Sequence, residues 1–190
     1  MSVDRLLVSH PDTSCEAVHR LAAQVSRPGP TALTLRYALG GDLKRLRIPP
    51  EGASHRADKL WQHTCFEAFV AAKGAAGYVE FNFAPSTQWA AYGFSAYRAG
   101  MTPAELAHPP RLGVRREHDL LVLEANLDLD TLPIMRASAV LRLALSAVIE
   151  DAQGRLSYWA LRHPPGKPDF HHADGFVLTL TDAAAPSMGD

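Results

Sequence analysis

Three residues with metal-binding side chains, His63, Cys65 and Glu67, alternate along one short segment. In an extended strand they would project from one face, with successive Cα atoms about 6.6 Å apart. Imidazole, thiolate and carboxylate groups in this order suggest a zinc or iron site, to which His171 near the C-terminus could contribute. However, no Cys-x-x-Cys or His-Glu-x-x-His motif occurs, and a cysteine between apolar neighbours is more often a core residue. Metal ligation is therefore an alternative and not the main prediction.

The sequence gives little support for catalysis. It contains no Gly-x-Ser-x-Gly elbow and no phosphate-binding glycine run. Nothing places a base beside Cys65, and no sequence argument sets the separation of Glu67 and Glu80 across neighbouring strands. An enzyme centred on His63, Cys65, Glu67 and His171 is the least favoured alternative, and we predict a non-catalytic protein.

Aromatic side chains lie among hydrogen-bonding residues at several places, as a site for sugars or flat ligands requires. An aromatic face can stack on such a ligand while amides and carboxylates orient it. The alternative for each tryptophan is a place in the core, with its N–H bonded internally. The aromatic residues concerned are Trp61, Trp89, Trp159, Tyr78, Tyr92, Tyr97 and Tyr158.

Short extended segments must position these residues. Apolar residues alternate with polar ones between glycine and proline turns, and about ten short strands at this spacing predict an antiparallel β-sandwich. A hairpin is predicted over residues 33–48, with Gly40-Gly41-Asp42 as its turn. The segment 15–25 fits a helix or a strand, and we favour a strand. Residues 103–106 are predicted to form one helical turn. The other predicted strands cover residues 65–70, 78–83, 112–116, 121–127, 140–149, 156–161 and 176–180.

Length and composition predict one domain over residues 1–190, and 47% hydrophobic residues suffice for a substantial core. Nineteen Lys and Arg residues balance 20 Asp and Glu residues, which argues against a nucleic-acid or anionic-membrane partner. Two cysteines are too few for a disulfide framework. No apolar run approaches the roughly 20 residues of a membrane span, and we see no secretion signal. We therefore expect a cytoplasmic location.

Three segments together resemble a known family. They are the residues 60–69 (LWQHTCFEAF), 77–86 (GYVEFNFAPS), and 158–161 (YWAL) leading to 168–171 (PDFH). The chain resembles a DOMON-like domain of the family 9 carbohydrate-binding-module type, in its small bacterial single-domain branch. The resemblance covers about residues 33–180. It implies an immunoglobulin-like β-sandwich whose relatives bind sugars or haem and catalyse nothing alone.

The resemblance also implies a ligand site. In sugar-binding relatives two tryptophans clamp the sugar and a glutamate holds its hydroxyls. The matching positions are Trp61, Trp159 and Glu67, with Gln88 a looser match. Those relatives usually carry an Asp between the first Trp and the Glu, where this chain has Thr64 and Cys65. We expect a small carbohydrate-like ligand, such as an intracellular sugar, a sugar nucleotide or a cell-wall precursor.

Haem is the second hypothesis. Haem-binding relatives use an axial Met with a His or Lys. Met101 and Met135 are available here, as are His63 and His171, but neither Met lies in a segment that matches the family. In the main hypothesis no cofactor is needed.

Overall fold

The computed structural model describes residues 2–134 and 139–181, which contain thirteen β-strands in two antiparallel sheets. The sandwich predicted from the sequence is thereby confirmed. Its strands are β1 (Ser2–Leu6), β2 (Val8–Ser9), β3 (Val18–Ser26), β4 (Ala32–Gly41), β5 (Cys65–Ala72), β6 (Tyr78–Phe83), β7 (Trp89–Phe94), β8 (Thr102–Pro103), β9 (Arg111–Arg116), β10 (Leu120–Asp128), β11 (Leu141–Glu150), β12 (Leu156–Ala160) and β13 (Leu178–Leu180).

The small sheet has the strand order β1-β3-β4-β10-β9. The large sheet has the order β2-β12-β11-β5-β6-β7-β8, and β13 also pairs with β11. Strands β12 and β13 both lie along the edge of β11 that faces away from β5, at opposite ends of that strand. Strands β5, β6 and β11 are therefore central strands of the large sheet.

The main core lies between the two sheets. Alternation along β5 sends Phe66, Ala68 and Val70 into this core, and Phe81 of β6 lies there too. All four side chains are fully buried. Burial of one large apolar side chain contributes about 1.5–3 kcal/mol. The residues between them in sequence face away from the core, so the outer face of the large sheet is a separate surface.

Several local predictions are corrected by the structure. The ambiguous segment 15–25 enters strand β3, as favoured. The hairpin over 33–48 is wrong, because β4 continues through Gly41 and is followed by the single-turn 3-10 helix Leu43–Arg45. A Cβ on Gly41 would lie 2.0 Å from the Ala17 carbonyl oxygen, so this glycine serves a close backbone approach. The helical turn predicted over residues 103–106 is wrong, because Thr102 and Pro103 form strand β8 and no helix covers residues 104–106. Among the described residues, no helix has the length and apolar character needed to cross a bilayer.

Candidate functional site

The outer face of the large sheet carries a row of polar residues at its centre. Glu67 of β5 lies directly opposite Asn82 of β6 on one side and Ser146 of β11 on the other. Glu80 lies on the same face of β6, two residues before Asn82. The alternation that sends phenylalanines into the core therefore sends these four polar side chains to the opposite face.

Two segments cover part of this face and leave a cavity. We call residues 162–177, which connect β12 to β13, the strap. Together with the loop that follows β7, the strap encloses a cavity of about 380 Å³, here named the central cavity. Its lining residues are Trp61, Glu67, Glu80, Tyr92, Phe94, Arg98, Met101, Val148, Tyr158, Pro168, Phe170 and His171.

Two carboxylates lie at the base of the central cavity. The exposed fractions of Glu67 and Glu80 are only 3% and 6%. Glu80 accepts a hydrogen bond of 2.6 Å from the Asn82 amide, whereas Glu67 accepts only a long one of 3.5 Å from the Ser146 hydroxyl. Burial, and then the charge of Glu80, raises the pKa of Glu67 well above its usual 4.5. Burial also raises the pKa of Glu80, although its bond from Asn82 opposes this shift.

A polar network holds the strap at the rim of the cavity. The Asp169 carboxylate accepts a hydrogen bond of 2.8 Å from the Arg98 guanidinium and another from the Tyr97 hydroxyl. The Tyr78 hydroxyl accepts from the Arg98 backbone N–H at 3.2 Å and lies 2.7 Å from Nδ1 of His171. The other ring nitrogen of His171, Nε2, faces Glu80 Oε2 at 3.7 Å.

Trp61 and Glu67, two of the four residues predicted to bind a ligand, line the central cavity together. Trp61 is half-buried and packs edge-on against Tyr92, with ring centroids 5.8 Å apart. Its indole comes from the single-turn 3-10 helix Leu60–Gln62, which begins just before β5. A partly open aromatic ring beside a buried carboxylate is the arrangement expected of a site that stacks and orients a small ligand.

The structure does not bring Trp159 or Gln88 to this cavity. Trp159 is 8% exposed and belongs to the core between the sheets, where its N–H donates to the Ser157 hydroxyl at 3.0 Å. The expected clamp of two indoles is therefore not assembled here. Gln88 hydrogen-bonds His55 and lines a different cavity, next to Ser86.

The residues proposed as metal ligands are also separated. His63 is 70% exposed and its Nδ1 lies 2.8 Å from the Glu150 carboxylate, away from the central cavity. Cys65 is fully buried, and burial followed by the charge of Glu67 raises the pKa of its thiol, which disfavours the thiolate that binds metals. His171 faces Tyr78 and Glu80. Within residues 2–134 and 139–181, no three His, Cys, Asp or Glu side chains could hold one ion.

Of the residues named for haem, His171 is poorly placed in the central cavity to serve as an axial ligand, and His63 does not line that cavity. Met101 and His171 do line the same cavity, whereas Met135 lies outside the described residues. An axial histidine needs a free ring nitrogen directed at the iron. Both ring nitrogens of His171 are directed at protein groups, Nδ1 at the Tyr78 hydroxyl and Nε2 at Glu80.

The fold of this chain recurs in solved structures of other proteins. No family model and no curated protein matches the sequence. A candidate carbohydrate-binding protein from Bacteroides uniformis ATCC 8492 matches at a TM-score of 0.68 and 14% identity, over 94% of this chain and 85% of that one. A family 9 carbohydrate-binding module from Caldicellulosiruptor kristjanssonii, in complex with cellotriose, matches at a TM-score of 0.54 and 10% identity, over 86% and 74%. This chain has the fold of family 9 carbohydrate-binding modules.

Within this family 9 fold, the sequence pattern missed part of the cavity. Glu80 was considered only as a catalytic partner of Glu67, and Asn82 was not predicted; both could have been assigned to the ligand site, because they alternate with apolar residues on the strand that follows Glu67. Arg98 and Asp169 could not, because they come from two loops whose meeting depends on the tertiary fold.

Proposed function

We propose that this protein is a non-catalytic binding module that holds a small carbohydrate-like ligand in the central cavity. The observation that carries the proposal is the cavity itself, where the Trp61 indole and the Glu67 carboxylate line one space of about 380 Å³. A family 9 fold, shared with a module whose structure is in complex with cellotriose, supports it.

The two residues would have different roles. Trp61 would stack on the flat face of the ligand, which contributes about 1 kcal/mol beyond burial. Glu67 has a carboxylate oxygen that accepts no hydrogen bond from the described residues, so it is available to ligand donors. Hydrogen bonds to a charged group contribute about 1.5–3 kcal/mol, and they would orient the ligand.

The test is isothermal titration calorimetry with D-glucose and cellotriose as probes. We expect binding to the unmodified protein and a loss of about fivefold or more in Trp61→Ala, the equivalent of about 1 kcal/mol. Gln88→Ala is the matched control, because Gln88 lines a different cavity. Unchanged affinity in Trp61→Ala, or an equal loss in Gln88→Ala, would show that the ligand binds elsewhere.

A further inference from the structure

We infer that the central cavity selects a positively charged ligand, an amino sugar or a similar small organic ammonium, in preference to a neutral sugar. This inference rests on the proposed function, since it concerns the same cavity. It specifies the charge of the ligand, which the stacking and hydrogen-bonding roles proposed above do not determine.

The first observation is a pair of buried carboxyl groups at the base of the cavity that have no cation bound to them among the described residues. Glu67 is almost completely buried and forms no ion pair with the residues the structure describes. Among those residues, only the Asn82 amide lies within hydrogen-bond distance of Glu80. The charge of Arg98, which also lines the cavity, opposes the rise in the pKa of Glu80, but its guanidinium is bound to the Asp169 carboxylate at 2.8 Å. Two buried carboxylates without a cation are costly unless something neutralises them.

The nearest imidazole does not supply the missing charge. Burial, and then the neighbouring Arg98, lowers the pKa of His171 to about 4, so its ring is neutral at pH 7. Among the described residues, the other titratable groups close to the two carboxylates are the Cys65 thiol and the hydroxyls of Tyr37, Tyr78 and Tyr92. Burial raises the pKa of all four groups, so they stay uncharged at neutral pH. Without a cation from outside the protein, only bound protons can neutralise the two carboxylates.

The second observation is the aromatic wall above the carboxylates. Five aromatic rings line the same space, and Trp61 and Phe170 are only partly buried. The face of an aromatic ring attracts a cation through its quadrupole, most strongly where water is excluded. Rings surrounding a carboxylate pair thus match an organic ammonium. A metal ion fits poorly, because the described part of the chain offers no group of three His, Cys, Asp or Glu ligands. The five rings belong to Trp61, Tyr92, Phe94, Tyr158 and Phe170.

A cationic ligand would leave a signature that a neutral sugar would not. With both carboxyl pKa values raised, the empty cavity retains bound protons above pH 4.5. An ammonium group favours the ionised carboxylates and expels those protons. Binding should therefore release protons, and the measured heat should vary with the ionisation enthalpy of the buffer.

The experiment compares three matched probes by calorimetry at about pH 6, below the pKa of an amine. D-Glucosamine carries the positive charge, whereas D-glucose and N-acetyl-D-glucosamine do not. We expect D-glucosamine to bind about tenfold more tightly than either, with proton release. Glu67→Gln and, as a second variant, Glu80→Gln should abolish this preference. Glu124→Gln is the control, since that carboxylate is exposed and pairs with Arg36 on the other sheet.

The outcomes separate this inference from the proposed function. Equal binding of the charged and neutral sugars would overturn the inference and leave the binding module intact. If no sugar binds and tetramethylammonium does, the inference stands and the carbohydrate part of the proposed function fails. If neither the sugars nor tetramethylammonium bind, both are overturned. A preference that survives in both glutamine variants would also overturn the inference.

Discussion

The two faces of the large sheet are formed by the same strands, yet they bury opposite kinds of side chain. On β5 and β6, Phe66 and Phe81 face the small sheet and belong to the apolar core. Glu67 and Glu80, their immediate neighbours in sequence, face the strap and are buried almost as deeply. The two faces are therefore alike in burial depth and opposite in the chemistry of the side chains they bury.

The difference lies in what burial does to stability. Removing a phenyl ring from water stabilises the fold, whereas removing a carboxylate from water without a full set of partners destabilises it. The inner face needs no further explanation. The outer face carries an energetic cost that its hydrogen bonds from Asn82 and Ser146 offset only in part, and in the function proposed above a bound ligand would offset the rest.

The largest expected effect would come from the inner face. Phe81→Ala should lower the free energy of unfolding by about 3–5 kcal/mol, because it leaves a cavity in a fully buried core. Urea denaturation followed by tryptophan fluorescence measures this loss. Val177→Ala, at an exposed position, should change little. A loss below about 1 kcal/mol in Phe81→Ala would contradict the assignment of this face as the main core.

An opposite sign is expected on the outer face. Glu67→Gln should raise the free energy of unfolding at pH 7 by on the order of 1 kcal/mol, since it removes a buried charge next to Glu80. The folded pKa is raised, so the folded state binds more protons than the unfolded state between the two pKa values. The unmodified protein therefore loses stability as pH rises above 4.5.

The gap between the two proteins should accordingly widen with rising pH and close at low pH. Urea denaturation at several pH values measures this gap. A Glu67→Gln variant that is markedly less stable at pH 7 would mean that the carboxylate has a structural partner in the fold.

A more local effect is expected where the strap is bonded to the loop after β7, at the hydrogen bonds that Asp169 accepts from Tyr97 and Arg98. Burial alone would raise the pKa of Asp169, but hydrogen bonds from Tyr97 and Arg98 lower it below its usual 3.8. The stabilisation from these hydrogen bonds is therefore fully present above pH 3.8 and is lost as the pH falls and the Asp169 carboxylate is protonated. Asp169→Asn should destabilise the strap by about 1 kcal/mol, with amide hydrogen exchange accelerating within residues 162–177 and not in β5. Uniform acceleration across both would indicate global destabilisation instead.

The smallest effect is expected at His63. Its exposed ring contacts Glu150 outside the central cavity, so His63→Ala should change stability by less than about 1 kcal/mol and leave ligand affinity unaltered. Calorimetry with D-glucosamine checks the second part. A large loss of affinity in His63→Ala would show that His63 contributes to ligand binding, contrary to its position outside the central cavity.

The sequence predicted the strands and the faces of their side chains, because both follow from the alternation of apolar and polar residues. It did not predict which loops contact one another. The face of Glu67 and the strand character of β5, β6 and β11 follow from periodicity two, and both were predictable. The pairing of Trp61 with Glu67 was also predicted, from the family resemblance. Trp159 was wrongly predicted to contact the ligand. Alternation shows that Trp159 and Ser157 share one face of β12, but it does not show which way that face points. The pairing of β12 with β11 places it in the core. The contribution of Arg98 depends on loop conformation, which periodicity does not encode.

The strap begins after β12 and ends at β13, and both strands pair with the same edge of β11. Ala160 lies opposite Ser146, and Leu178 lies opposite Leu143, so the two ends of the strap meet the sheet only three residues apart. A segment whose ends are already held close together can change in length with little added loop-closure entropy. Replacing residues 162–177 with a strap of different sequence should therefore exchange one wall of the cavity and leave the sandwich intact. In this architecture, one wall of the cavity can be exchanged as a single contiguous segment while Trp61, Glu67 and Glu80 keep their places.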